Sequence, residues 1–267
     1  MASTPCPLDS TPITSLPQEL IEEIISYFAY DSRTLLACSM TCRSWNIAST
    51  PHLHYSLTTY LDLQDEKYHC PKLLKKLHKL KLLSFVKRLH IRQHYPWFTP
   101  EGFDSYTLHC FSTLMNIQEL QLVHFNISIF MPYIQECFGH FAPAVQKLDL
   151  LTPKGSCCQI VYFIGLFPNL QDLTLKYPMH PEEEGGVLDS TLIPHFKPPL
   201  HGSFTLSGNE GEALVREMIK YFDGLHFHHM NLYQVDCARL LLEECVETLE
   251  TLQLCSADPG ENLYEGM

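Results

Sequence analysis

The chain has 267 residues, of which 45% are hydrophobic and 18% charged, so it is long enough to bury a core without disulfides or metals. Its 30 acidic residues against 18 basic ones give a formal net charge of -12 at pH 7. This balance argues against nucleic acid or an anionic membrane as the main partner, because both require clustered Lys and Arg.

The N-terminus, MASTPCPLDS, has neither the charged region nor the apolar region of a signal peptide. No apolar run of about 18 residues is present that could span a membrane. We therefore expect a cytoplasmic or nuclear protein with a disordered tail over residues 1–11. In that setting the 11 cysteines are reduced, and most of them lie among Leu, Ile and Phe, where Cys packs as a small hydrophobe.

Residues 16–45, LPQELIEEIISYFAYDSRTLLACSMTCRSW, predict two short helices with wide apolar faces. Pro17 suits the first turn of the first helix, and Asp31 or Ser32 can cap the second. A unit of this size cannot bury so much apolar surface alone, so it needs a partner surface. That surface belongs either to the same chain, with the helices capping the next domain, or to another protein.

The same stretch resembles an F-box. The residues that carry the resemblance are Leu16-Pro17-x-Glu19-Leu20-x-x-x-Ile24 and, after a polar break, Leu35-x-x-Cys38-Ser39-x-x-Cys42-Arg43-x-Trp45. Thr41 stands where that family often has Val. The resemblance implies a three-helix module over residues 12–56. It also implies that the module docks on a Skp-type adaptor, which links it to a cullin scaffold in an SCF-type ubiquitin ligase.

By this resemblance, six residues are expected on the adaptor-binding surface: Leu16, Pro17, Leu20, Ile21, Ile24 and Leu36. Cys42 and Trp45 are instead expected to pack in the module's own core.

Two further elements are predicted before the repeats begin. Leu57–Leu63 has the pattern of a strand. Pro71–Phe85 predicts a helix with lysines on one face and, on the other, Leu73, Leu74, Leu77, Leu80 and Leu83. The lysines indicate a solvated helix face or, alternatively, a patch for an acidic partner.

From residue 86 onward a template recurs: apolar, two free positions, apolar, one free position, apolar. It starts at Val86, Ile117, Val145, Leu170, Phe222 and Leu249, and fits partly at His201. The alternating end of the template predicts a short strand with one buried side, and the segments between predict helical returns. The spacing is close to that of leucine-rich repeats. We therefore expect an α/β fold in which residues 57–257 form a leucine-rich-repeat-like solenoid of short parallel strands.

The repeats depart from the leucine-rich pattern in one respect. At the eight-residue offset, where that family usually has Asn or Cys, only the His201 unit has an Asn, Asn209. We therefore expect an irregular arc with its strongest break between Tyr177 and Leu200, followed by an acidic tail over residues 258–267. A different α/β layer protein is the alternative, since Leu-x-Leu pairs occur in any strand.

The sequence contains no catalytic constellation. Gly-rich phosphate loops and the GxSxG and HExxH motifs are absent. His226 and His228 alternate on a predicted strand, but no third zinc ligand has a fitting spacing. We therefore predict no enzyme activity, no cofactor and no metal site.

The outward positions of the strands remain as a binding surface for a target protein. Eight of them are the candidates: His90, Arg92, Gln121, Asp149, Thr174, Lys176, His226 and His228. The first hypothesis is a substrate-recognition subunit of an SCF-type ubiquitin ligase. The alternative is a non-catalytic repeat scaffold that binds protein partners without a role in ubiquitination.

Overall fold

The computed structural model describes residues 16–61, 70–93, 111–178, 199–208, 211–233 and 237–255. The chain divides into two units, Met1–Tyr55 and Ser56–Met267. We call the first the helical module and the second the sheet unit. Within the described ranges, no helix combines the length and the apolar character that crossing a membrane requires.

The helical module has three helices, α1 (Gln18–Ser26), α2 (Ser32–Ser39) and α3 (Arg43–Leu53). Asp31 caps α2, because its Oδ1 accepts hydrogen bonds from the backbone N–H groups of Arg33 (3.1 Å) and Thr34 (3.2 Å). The predicted polar break is therefore a helix start. A small core holds the helices together and consists of Ile21, Ile25, Leu35 and Ala48, with Cys38, Trp45 and Leu53 packed against it.

The sheet unit is built on eight parallel strands whose order in the sheet is their order in the chain. The strands are β1 (Ser56–Tyr60), β2 (Arg88–Arg92), β3 (Glu119–Val123), β4 (Lys147–Leu151), β5 (Asp172–Lys176), β6 (Leu200–Ser207), β7 (Leu225–Tyr233) and β8 (Thr251–Cys255). Every predicted template thus overlaps a strand. The predicted Leu57–Leu63 element overlaps β1 over residues 57–60, and its residues 62 and 63 lie outside the described residues. A parallel-strand α/β sheet is what the alternating template and its spacing predict.

Helices and short turns connect the strands and cover one face of the sheet. The helices are α4 (Cys70–Lys79), α5 (Ile127–Phe130), α6 (Ile134–Phe138), α7 (Cys157–Ile164), α8 (Gly211–Tyr221) and α9 (Ala238–Cys245). Their apolar sides and the inward strand residues form one continuous buried core. Within that core the ring centroid of Phe163 lies 5.2 Å from the ring centroid of Phe138 and 5.2 Å from that of Phe167.

Helix α4 is shorter than predicted. It ends at Lys79, and Lys81 takes a left-handed conformation with φ of 57°. Leu74 and Leu77 are buried and Leu83 is buried in a following 3₁₀ turn, whereas Leu80 is exposed. The prediction of one leucine face over the whole segment is therefore wrong at Leu80, because the turn rotates that side chain away from the core.

Two inward columns of side chains run across the sheet in register. The first pairs Leu57, Leu89, Leu120, Leu148, Leu173, Phe204, Met230 and Leu252. The second pairs Thr59, Ile91, Leu122, Leu150, Leu175, Leu206, Leu232 and Leu254. Because side chains alternate along a strand, the residues between these columns lie on the opposite face, which we call the polar face.

Four strands end in the same way. The residue after β3, β4, β5 and β6 has a positive φ, and these residues are His124, Thr152, Tyr177 and Gly208. Each donates its backbone N–H to the last residue of the next strand, as His124 does to the carbonyl of Leu151 at 2.8 Å. The repeated left-handed residue ends each strand while keeping its neighbour in register.

Candidate protein-interaction surfaces

The surface of the helical module is rich in exposed apolar side chains. They are Leu16, Leu20, Tyr27, Phe28, Tyr30, Leu36, Met40 and Ile47. The contrast is clearest on α2, where Leu35 is 1% exposed and its neighbour Leu36 is 54% exposed. The helices therefore use one face for their own core and leave a second apolar face uncovered within the described chain.

The structure divides the six predicted adaptor-binding residues into three groups. Leu16, Leu20 and Leu36 are large exposed hydrophobic residues, and Pro17 before α1 is exposed as well. Ile24 is half-buried.

Ile21 requires a correction, because it is 4% exposed and lies in the module's core with Ile25 and Leu35. Its side chain faces inward because α1 packs against α3 through that side. The core prediction for Cys42 is also wrong, since Cys42 is exposed before α3, whereas Trp45 packs against the core as expected.

The second surface is the polar face of the sheet, on which three rows of side chains cross the strands. The first row contains Ser56, Arg88, Glu119, Lys147, Asp172, Ser203, His229 and Thr251. Its charges alternate over four strands. Arg88 and Glu119 form an ion pair with an Nη2–Oε2 distance of 2.6 Å. Opposite charges on neighbouring strands stabilise the pairing and leave no single sign on this row.

The middle row contains Thr58, His90, Gln121, Asp149, Thr174, Thr205, Asn231 and Gln253. Four of the predicted target-binding residues thus lie side by side: His90, Gln121, Asp149 and Thr174. Arg92 and Lys176 lie in the third row, at the carboxyl ends of their strands. The structure therefore brings six of the eight predicted residues together on one face.

Burial shifts the pKa values of two titratable groups in the middle row. Burial raises the pKa of the Asp149 carboxyl, an effect that Lys147 and a hydrogen bond from Thr174 oppose. Burial also lowers the pKa of His90, and Arg88 and Arg92 lower it further against the opposing charge of Glu119. Both shifts favour the neutral form, as expected of polar groups in a partly desolvated row.

The placement of His226 and His228 differs from the prediction. His226 pairs with His201 near the start of β7, and the register shifts between Gly202 and Ser203 so that His228 has no paired residue on β6. His228 instead contacts the turn before β8, with its Nδ1 3.1 Å from the carbonyl oxygen of Thr248. Neither histidine belongs to the three rows.

The residue of β7 in the middle row is Asn231, which the sequence reasoning missed. The sequence does contain a signal for it. The template fits a start at Phe227, with Met230 and Leu232, as well as it fits the predicted start at Phe222. The longer β7 holds both versions of the pattern, separated by the register shift.

Cysteines and possible metal ligands are a further kind of candidate site on the described part of the chain. There, no three His, Cys, Asp or Glu side chains group together as a metal site would require. The Cys158 thiol lies 3.5 Å from Glu217 Oε2, and burial together with that carboxylate raises its pKa. A raised pKa keeps the thiol protonated, so this contact does not activate a nucleophile.

Comparison with known proteins identifies a family for the N-terminal part of the chain. Residues 13–60 match the model of the F-box-like family. No curated protein matches the chain. The matched segment contains α1, α2 and α3 of the helical module and the first strand that follows them.

Proposed function

Because residues 13–60 carry an F-box-like domain, we propose that the chain is a substrate-recognition subunit of an SCF-type ubiquitin ligase. In this proposal the F-box-like domain binds a Skp-type adaptor, and through it a cullin scaffold, while the sheet unit binds a target protein. Its setting is the cytoplasm or the nucleus.

The observation that carries the proposal is the exposed apolar face of the helical module. Leu16, Leu20 and Leu36 remain in contact with solvent although the three helices already have a core of their own. Exposed apolar surface of this extent on so small a unit is typical of a protein-binding surface. F-box domains in general bind adaptors of the Skp type, which matches that requirement.

We further propose that the sheet unit is a leucine-rich-repeat-like solenoid. Its support is the sequential order of eight parallel strands and the two unbroken inward columns. Repeats of this kind present one side chain per strand in each row, so the polar face offers a long surface for a protein ligand.

The mechanism of such a subunit is proximity and not catalysis. We propose no catalytic residue and no cofactor in this chain. By holding the target beside the adaptor and its cullin, the chain raises the effective concentration of target lysines near a ubiquitin-loaded conjugating enzyme.

The first experiment is a pulldown of the full chain with a purified Skp-family adaptor. Leu20→Asp and Leu36→Asp place carboxylates on the exposed face and are expected to abolish binding, because an unpaired charge is costly to bury at an interface. Leu80→Asp is the matched control, since Leu80 is 55% exposed but lies in the sheet unit. Circular dichroism checks that each variant is folded. Failure of the wild-type chain to bind the adaptor would refute the proposal.

The second candidate function is a scaffold that binds proteins without a role in ubiquitination. The polar face supports the scaffold as much as the substrate receptor, because a row of polar side chains can bind a protein in both cases. A ligase reconstituted with adaptor, cullin and conjugating enzyme distinguishes the two. Ubiquitin transfer to a protein captured by the sheet unit supports the receptor, and capture without transfer supports the scaffold.

A further inference from the structure

The last strand, β8, differs from the strands inside the sheet in its surroundings. It ends the strand order, so only its β7 side is paired among the described residues. In the inward columns Met230 and Leu232 on β7 are 1% exposed, whereas Leu252 and Leu254 on β8 are 37% and 62% exposed. Val246, in the turn before β8, is 73% exposed. No described residue beyond β8 covers this end of the core columns.

The open side of β8 also carries backbone N–H groups with no acceptor among the described residues. Glu119 at the start of β3 donates its N–H back to Lys87, just before β2, and His124, just after β3, donates forward to Leu151 in β4. Alternate N–H groups of a strand therefore point to opposite neighbours. Thr251 has the register position of Glu119, so the N–H groups of Leu252 and Leu254 point to the open side.

This edge lacks the features that normally prevent a strand from pairing with another chain. Those features are charged side chains, Pro and bulges. The five residues of β8, Thr-Leu-Gln-Leu-Cys, include none of them, and its pairing with β7 is regular. An added strand would continue the polar rows on one side and cover Leu252 and Leu254 on the other.

The charges around the edge indicate the chemistry of the partner. Exposed carboxylates lie on α9 and in the turn before β8, at Glu243, Glu244, Glu247 and Glu250. On α9, Arg239 pairs with Glu243 at 2.8 Å, and His228 Nδ1 lies 3.8 Å from Glu250 Oε1, whereas no cation pairs with Glu244 or Glu247 among the described residues. The apolar edge is therefore bordered by negative charge.

We propose that β8 is a docking edge for an extended, basic segment of a partner protein. The segment adds to the sheet as a ninth strand. Its backbone accepts hydrogen bonds from the N–H groups of Leu252 and Leu254, and its apolar side chains cover the two exposed leucines. A Lys or Arg at its end lies near Glu247 and Glu250 in the turn before β8.

Other occupants fit the edge less well. A second copy would bring an identical set of glutamates to the same border, and like charges across paired strands are destabilising. A helix bonds its own backbone and would leave the N–H groups of Leu252 and Leu254 without acceptors.

The test measures binding of two fluorescein-labelled, N-acetylated and C-amidated peptides to the full chain by fluorescence anisotropy. KVKVKVK has the alternating pattern of an added strand, and KKVVVKK has the same composition and charge without alternation. We expect KVKVKVK to bind about tenfold more tightly, and to protect the amides of Leu252 and Leu254 from hydrogen exchange.

Three variants locate the site. Leu254→Pro removes an outward N–H, and Leu254→Thr removes apolar surface in a residue that retains strand propensity, should the Pro variant fail to fold. Each is expected to weaken binding of KVKVKVK about tenfold, whereas Met115→Thr, an exposed apolar control, leaves it unchanged. Glu247→Gln/Glu250→Gln should weaken binding more than Glu22→Gln/Glu23→Gln, which changes the net charge equally.

Three results would overturn the proposal. They are equal affinity for the two peptides, binding that neither Leu254 variant affects, and a dimer by light scattering that Leu254→Pro dissociates, which would assign the edge to a second copy. The proposal is independent of adaptor binding, so the adaptor pulldown remains a separate test of the proposed function.

Discussion

The two units of this chain handle their apolar residues in opposite ways. The sheet unit buries leucines and phenylalanines in a continuous core and turns mixed polar rows to solvent. The helical module buries a core of four residues, with three more packed against it, and exposes large apolar side chains beside it. An apolar residue on a short helix with two apolar faces is therefore not necessarily a core residue. One face packs in the core of the module, and the other remains available to bind a partner.

The largest expected effect is in the sheet unit. Phe163→Ala removes a ring that contacts Phe138 and Phe167, and it should lower the free energy of unfolding of that unit by about 3–5 kcal/mol. Urea denaturation followed by circular dichroism measures the loss. Adaptor binding by the helical module should be unchanged under folding conditions. Loss of adaptor binding in the folded variant would show that the two units are not energetically separate.

The second prediction compares neighbouring leucines on α2. Leu35→Ala should destabilise the helical module by about 2–5 kcal/mol, because Leu35 is 1% exposed. Leu36→Ala should change its stability by less than about 0.5 kcal/mol, because Leu36 is 54% exposed, but should weaken adaptor binding.

Fluorescence of Trp45 in a Trp97→Phe background reports the unfolding of the module in urea, since the sequence has 2 Trp residues. Equal destabilisation by the two alanine variants would contradict the division into a core face and a binding face.

The third prediction concerns the register shift between β6 and β7. Gly202 has φ of +94°, and a Cβ there would lie 1.9 Å from the carbonyl oxygen of Gln171. Gly202→Ala should therefore lower the free energy of unfolding of the sheet unit by about 1–3 kcal/mol. Gly165→Ala is the control, because Gly165 has a right-handed helical conformation. The same urea titration compares them, and equal values would show that the strand can relax around the new methyl group.

The smallest expected effect is a pH dependence on the polar face. The pKa of His90 is lowered in the folded chain, so between that value and 6.5 the unfolded chain binds more protons. Stability should rise with pH through this window and fall as His90 is protonated. His90→Gln removes this contribution, so the variant should match the wild type at pH 7.5 and lose less stability as the pH falls below 6.5. Parallel curves for the two proteins would contradict the assignment.

The periodicity of the sequence predicts the strands well because the two inward columns demand apolar residues at fixed positions. Leu89 and Ile91, or Leu148 and Leu150, are such pairs, and each is buried where the template places it. On β7 the same rule fits both Leu225 with Phe227 and Met230 with Leu232, and local pattern cannot choose between them. The pairing of β7 with β6 determines which pair continues the inward columns, and this pairing is a long-range contact that a local pattern does not contain.

The sequence predicts the residues of the candidate surfaces less well than it predicts the strands. The apolar residues of α1 and α2 are evident from the sequence, but Ile21 and Leu20 are neighbours, and only the position of α3 determines which one faces the core. The left-handed residues His124, Thr152 and Tyr177 carry no signal, because Gly is the residue that normally indicates such a conformation. The predicted break between Tyr177 and Leu200 lies largely outside the described residues.

The sequential order of the strands has a mechanical consequence. Since β1 to β8 each pair only with strands adjacent in the chain, no described strand is held between two others that are distant in sequence. A force pulling on β8 would open the β7–β8 ladder first and then each earlier ladder in turn, one strand at a time. Pulled in this way, the sheet would lengthen in small steps and lose its outermost ladder, the one beside the acidic edge, before any other.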